Sequence, residues 1–231
     1  MATARSGDTA WALSETMRDM DVVIVGGHGQ IGMRLGRLLA ADGDRVRGLI
    51  RNPAQADDLR AAGIAPVVCD LEAGDDVADA IAGADAVVFA AGAGPGSGAA
   101  RKLTMDRDGA IALVDAALRT GVRRYVMVSA QGIRLGADRD DDFGVYLRAK
   151  GDADAALAAS GLDHTIVRPG GLSDDPGTGR IVVGETLPYG GISRDDVAAT
   201  LRAVLRADNT SGLTFELNSG DTPIAEALAA L

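Results

Sequence analysis

Two side chains one helical turn apart could move a proton. In Tyr146-Leu147-Arg148-Ala149-Lys150 the phenol and the ammonium share one helix face, because residues four apart stack above one another. An ammonium beside a phenol favours the phenolate and lowers its pKa. Tyr146 is therefore expected to act as general acid toward a carbonyl being reduced. Lys150 is expected to tune it and to grip ribose hydroxyls. The spacing alone arises by chance in many helices, so its weight depends on what surrounds it.

A second cluster supplies that company. Val22-Val23-Ile24-Val25 runs into Gly26-Gly27-His28-Gly29-Gln30-Ile31-Gly32, and an amphipathic stretch follows from Met33 to Ala41. Strand, tight glycine turn and helix in that order suit a dinucleotide pyrophosphate. The glycines let the backbone turn and approach closely, and the helix aims free N–H groups at the phosphates. The residues from Gly26 to Gly32 are assigned to the cofactor. The bland alternative is a turn that only packs a helix on a sheet.

Arg51, with Asn52 beside it, ends the next strand, where such folds meet the adenosine ribose. An acid there would accept from a 2′-hydroxyl, whereas an arginine offers a cationic fork to a 2′-phosphate. No acid ends this strand and Arg47 is near, so NADP(H) is expected over NAD(H). A solvated surface arginine is the other reading. Asp70 and Leu71 follow the third strand and are placed at the adenine, although Asp70 could equally cap a helix. Ala90, Ala91 and Gly92 end the fourth strand with small residues that leave room for the second ribose.

The elements that must hold these residues alternate regularly. Strands are expected at 22–25, 46–50, 65–69, 86–91, 124–129 and 164–168. Helices are expected at 33–41, 53–62, 77–82, 101–119 and 143–160, the last two stopped by Gly121 and Gly161. Repeated strand–helix–strand units imply an α/β, Rossmann-like doubly wound parallel sheet. From Gly170 onward the pattern loosens to a strand at 180–184, a helix at 194–205 and a strand at 214–217. A small C-terminal substrate lobe over the cleft is expected, within one dinucleotide-binding domain spanning residues 21–231. Residues 1–20, with Trp11 and Leu13, read as an extension that lacks the apolar core of a signal peptide.

Bulk properties narrow the partners. The chain has 231 residues, 47% of them hydrophobic, enough for one real core. A net charge of −10 argues against nucleic acid or an anionic membrane as a partner. No apolar run reaches the ~20 residues of a membrane span. One cysteine, Cys69, excludes an internal disulfide and suits a reducing, cytoplasmic setting. His28 and His164 stand apart without cysteines, so no metal site is expected. A small-molecule substrate and a monomer or weak homodimer complete the expectation.

The chain resembles the atypical short-chain dehydrogenase/reductases of the NAD(P)H-binding group that includes NmrA-like and biliverdin/flavin reductase-like proteins. The resemblance runs from Asp21 to about Ile224. It rests on GGHGQIG at 26–32, LIRNP at 49–53, CDLEA at 69–73, VFAAG at 88–92 and GVRRYVMVSA at 121–130. YLRAKGDAD at 146–154, SGLDHTIVRPGGL at 160–172 and ISRDDVA at 192–198 continue it. It implies that Arg168, Pro169, Gly170, Gly171 and Leu172 border the nicotinamide and substrate, with residues 173–180 as a loop at the pocket mouth. It also exposes a departure. Family members with a full triad carry a serine just past the fifth strand to polarise the substrate carbonyl. Here Ala130 falls in that slot, and Ser129 is the adjacent hydroxyl, the third catalytic candidate beside Tyr146 and Lys150.

The expected function is NADPH-dependent hydride transfer to a small carbonyl, quinone or flavin-like acceptor. A non-catalytic NADP(H) sensor that reports to a protein partner is the alternative. A sugar-nucleotide epimerase or dehydratase is disfavoured by the short C-terminal portion.

Overall fold

A computed structural model describes residues 19–94, 97–136 and 138–231. The expectation for an N-terminal extension around Trp11 lies outside them. The first strand, β1 (Asp21–Val25), is buried at every position. Its alternate side chains serve two cores. Val22 and Ile24 pack with Leu35, Leu39, Leu201 and Val204 on one face. Val23 and Val25 pack with Leu113, Ala117 and Leu157 on the other. A strand covered on both faces has no use for polar alternation, so the apolar runs of β1, β4 (Ala86–Phe89) and β5 (Arg124–Val128) follow.

Around them the chain forms α1 (Gln30–Ala41), β2 (Arg45–Ile50), α2 (Ala56–Ala61) entered through a 3-10 turn at Pro53–Gln55, β3 (Ala65–Val68) and α3 (Val77–Ile81). After β4 come α4 (Ala99–Arg101), a π-helical run over Lys102–Gly109, and α5 (Ala110–Thr120). Then follow α6 (Asp142–Ala159), β6 (Asp163–Pro169), β7 (Gly171–Ser173), β8 (Arg180–Gly184) and β9 (Gly191–Ser193). The chain ends with α7 (Arg194–Val204), β10 (Leu213–Ser219), β11 (Thr222–Pro223) and α8 (Ile224–Ala229).

Among the described residues, nine strands form one sheet in the order β11-β8-β10-β6-β5-β4-β1-β2-β3. Every neighbouring pair from β3 across to β10 is parallel, while β8 runs antiparallel to β10 and β11 to β8. Consecutive connections lead outward from β1 to β3 on one side and from β4 to β6 on the other. The crevice between β1 and β4 is therefore the topological switch point, where ligands enter doubly wound sheets. No helix among the described residues is long and apolar enough to cross a membrane.

Three local outcomes differ from the sequence pattern. Helix α1 begins at Gln30 rather than Met33, because Gly29 is extended and ends the turn as its N-cap. The helix expected over 101–119 opens into the π-helical run before α5. The C-terminal segment attaches by extending the main sheet through β10, β8 and β11, and β7 pairs with β9 in a separate two-stranded ribbon. Strands of two or three residues carry no periodicity, so β7, β9 and β11 leave no trace in a sequence pattern.

The glycine turn shows why α1 sits where it does. A Cβ on Gly27 would lie 2.6 Å from Gly48 Cα, and one on Gly32 2.3 Å from the Gly26 carbonyl oxygen. Gly26 has φ +84° and the Ala91 backbone 2.8 Å from where its Cβ would be. These residues let β1, β2, β4 and α1 touch backbone to backbone. Gly27→Ala is expected to destabilise the fold by about 1–3 kcal/mol through overpacking against backbone that has no side chain to swing aside. A chemical denaturation midpoint unchanged from wild type would contradict that packing.

Candidate active site

A cavity of about 850 Å³ opens along the switch point. One end is lined by Gly26, His28, Gly29, Gln30 and Ile31 of the glycine turn. No side chain caps α1 at Gly29 and no acid stands in its first turn. The leading N–H groups of the helix therefore face the cavity with the positive end of its dipole, a cradle for a pyrophosphate. Arg51, Gln55, Cys69, Asp70 and Leu71 line the adenosine end, and Ala90, Ala91 and Gly92 the middle. Ser129, Phe143, Tyr146, Lys150 and Leu172 line the far end, with Asp106 from the π-helical run and Arg194 from α7. Size, anion cradle and orientation fit a dinucleotide.

Not every expected residue reaches this cavity. Gly27 and Gly32 act in the backbone packing described above. Asn52 spends its side chain on the Pro53 turn, accepting from Ala54 N at 3.0 Å. Arg47 faces the other end of the sheet, donating to Asp21 and to the carbonyls of Ala80 and Ala82. Of the Arg168–Leu172 run, only Leu172 lines the cavity. Arg168 donates to Asp154 at 2.8 Å and lines a second, smaller cavity beside Tyr189. Pro169 accepts at its carbonyl from Gln131 N. Gly170 is wedged against Asn218 and Gly190, with no space for a Cβ, and Gly171 pairs with Gly191. The run shapes the sheet edge, and only its last side chain points inward. Asp70, by contrast, lines the cavity while also accepting from Glu72 N at 3.0 Å.

The far end is built around a buried ion pair. Lys150 Nζ lies 3.2 Å from Asp106 Oδ1 and donates to the Val128 carbonyl at 3.1 Å. It also stands over the Phe89 ring at 5.5 Å. Both charged side chains are almost wholly buried. Asp106 Oδ2 accepts from Ala93 N, whereas Oδ1 meets the ammonium at an angle that forms no proper hydrogen bond. The pair changes the role expected of Lys150. Its charge is met by Asp106, and Lys150 is not among the groups that set the Tyr146 phenol. Burial pushes that phenol up from its ordinary value, with the charges of Asp106 and Asp154 and the neighbouring Tyr189 adding to the push.

Asp106 is among the cavity residues that sequence reasoning missed, with Phe143, Arg101 and Arg194. It stands four before Ala110 and seven before Leu113, which places an acid on the buried stripe of its helix. That is the signal that could have found it.

The displaced serine, Ser129, directly follows β5. Its side chain lines the cavity and Ala130 does not. The Ser129 hydroxyl is buried and has no hydrogen-bond partner of good geometry, and neither has Asp154 Oδ1. The two groups are close enough for Ser129 to hold the Asp154 carboxyl down slightly, against the larger upward effect of burial. The buried Ser129 hydroxyl thus faces the Asp154 carboxyl at the cavity wall. At the mouth, Asp174 pairs with Arg34 at 3.2 Å and Arg194 at 3.0 Å, tying the expected loop to α1 and α7.

Tyr146 stacks on Phe143, ring centroids 5.9 Å apart. Because its pKa is raised, Tyr146 remains a neutral phenol near pH 10, about where a free tyrosine is half ionised. Tyr146→Phe is accordingly expected to leave the 295 nm phenolate absorbance near pH 10 unchanged. A drop of one titrating tyrosine would show that the phenol ionises normally.

Comparison with known proteins is consistent with this geometry. The family model described as NAD(P)H-binding matches residues 26–208. A Bacillus subtilis protein named as an uncharacterized sugar epimerase, YhfK, is 42% identical over 92% of this chain and 100% of its own length. A solved Bacillus halodurans structure that bears the provisional name of an NAD-dependent epimerase/dehydratase is 38% identical. It superposes with a TM-score of 0.87 over 92% of this chain and 100% of that one. An NAD(P)H azoreductase of Xenophilus azovorans is 30% identical over 64% of this chain and 47% of its own length.

Proposed function

The chain belongs to the NAD(P)H-binding family, and on that premise we propose that it is an NADPH-dependent reductase of flat, conjugated acceptors such as quinones, flavins or azo compounds. A bound reduced nicotinamide supplies a hydride, and the protein's own part is to orient, enclose and neutralise. The N–H groups of α1 and Arg51 hold the phosphates, Lys150 and Ser129 offer donors at the far end, and Asp106 keeps Lys150 in place.

One observation carries the choice of acceptor. The sequence holds only three phenylalanines, three tyrosines and one tryptophan. Phe143 and Tyr146 stack at the far end of the cavity, and Tyr189, 67% exposed, lines the smaller second cavity. Aromatic faces and the apolar Leu172 favour a planar partner over a small aliphatic carbonyl. The raised pKa of Tyr146 points the same way. A phenol that gives up its proton reluctantly is a weak acid catalyst, and conjugated acceptors rely less on protein acid–base help. The epimerase names of relatives are less well supported here, since the segment beyond β6 is short for a nucleotide-sugar site. The same raised pKa favours, as a second reading, a cofactor-binding sensor that performs no chemistry.

Stopped-flow oxidation of bound NADPH by a panel of quinones, flavins, azo dyes and short aldehydes separates these readings. Turnover with the conjugated compounds and little with aldehydes is expected, and Phe143→Ala should raise KM several-fold for the former. Tight binding without turnover would favour the sensor, and preferred aldehyde turnover would overturn the acceptor class. Arg51→Ala should weaken NADPH at least about ten-fold more than NADH, as expected for losing a charge-assisted phosphate contact. Equal weakening would remove the support for NADPH preference.

A further inference from the structure

At the adenosine end, Arg51 is not free. Its Nη1 donates to Glu72 Oε2 at 3.0 Å. The same carboxylate accepts from Arg101 Nε at 3.2 Å and from the Thr104 hydroxyl at 2.9 Å. Arg51 and Arg101 both line the cavity, whereas Glu72 and Thr104 do not. Arg51 is the more exposed of the two arginines, and its contact with Glu72 is a single hydrogen bond.

We propose that Glu72 sets dinucleotide selectivity by competing with the 2′-phosphate for Arg51. The inference rests on the cofactor reading above and adds a residue that acts through Arg51. A 2′-phosphate gripped by Arg51 lies close to the Glu72 carboxylate, and two anions sharing one guanidinium repel each other. Arg51 can nevertheless turn to the phosphate without stranding a charge, because Arg101 and Thr104 still hold Glu72. A 2′-hydroxyl makes no such demand, so NADH is indifferent to the exchange. Glu72 thus restrains NADPH binding, and the strength with which Arg101 and Thr104 draw it aside sets how much.

Two substitutions move the balance in opposite directions. Glu72→Gln keeps the side-chain shape and removes the competing charge. Thr104→Val removes one of the holds that draw Glu72 away from Arg51. Calorimetric titration of the full chain with NADPH and with NADH reads both. Glu72→Gln is expected to bind NADPH about ten-fold more tightly, with NADH changed by less than about two-fold. Thr104→Val is expected to bind NADPH about three-fold more weakly, again sparing NADH. An unchanged NADPH-to-NADH ratio in Glu72→Gln would overturn the proposal. So would loosened NADH binding, which would make Glu72 the acceptor of the ribose 2′-hydroxyl. Failure of the wild-type chain to bind either dinucleotide would instead overturn the cofactor reading beneath it.

Discussion

The cleft depends on backbone meeting backbone where β1, β2, β4 and α1 converge. Gly26, Gly27 and Gly32 have no space for a Cβ, and the groups that would collide with one are Ala91, Gly48 and Gly26 main chain. Nothing there can yield by a change of rotamer, so any relief requires the backbone itself to shift. It draws the start of α1 down onto the sheet and leaves its first N–H groups open to the crevice. The glycines that look like a phosphate signature are thus divided in labour. Gly29 faces the cavity, while Gly27 and Gly32 hold the helix that faces it.

The opposite end of the cavity is organised by charge. Burying Lys150 is tolerable because Asp106 and the Val128 carbonyl meet its ammonium. That arrangement needs an acid inside a helix, and the π-helical run between α4 and α5 supplies it in a widened turn, a feature frequent at functional sites. Lys150 is not among the groups that set the Tyr146 phenol. Burial then dominates the phenol, and the end of the cavity becomes aromatic and neutral rather than acidic. The two ends therefore differ in kind, with exchangeable ion pairs around Arg51 and a closed pair beneath Tyr146.

Much of the scaffold was legible in the sequence, for a physical reason. Strands covered on both faces carry unbroken apolar runs, and those of β1, β4 and β5 announce themselves. Gly121, in the left-handed region at φ +77°, ends α5 where the sequence places its stop. The Tyr146–Lys150 face and the cavity position of Arg51 were likewise readable from spacing, and Ser129 from the family resemblance. What escaped were the short strands β7, β9 and β11, the final helix α8, and the joining of the C-terminal segment to the main sheet. Those depend on partners distant in sequence, such as Leu217 facing Val183.

By itself, then, the sequence determined the alternation of elements, the glycine turn and which residue types stand near the crevice, because these follow from local periodicity and backbone sterics. Only the tertiary structure decided what those residues do there. It took Arg168 away to Asp154 and Asn52 to its own turn. It placed Asp106 against Lys150 and Glu72 against Arg51. A side chain's charge state and direction are set by neighbours that folding brings together, and no spacing along the chain specifies them.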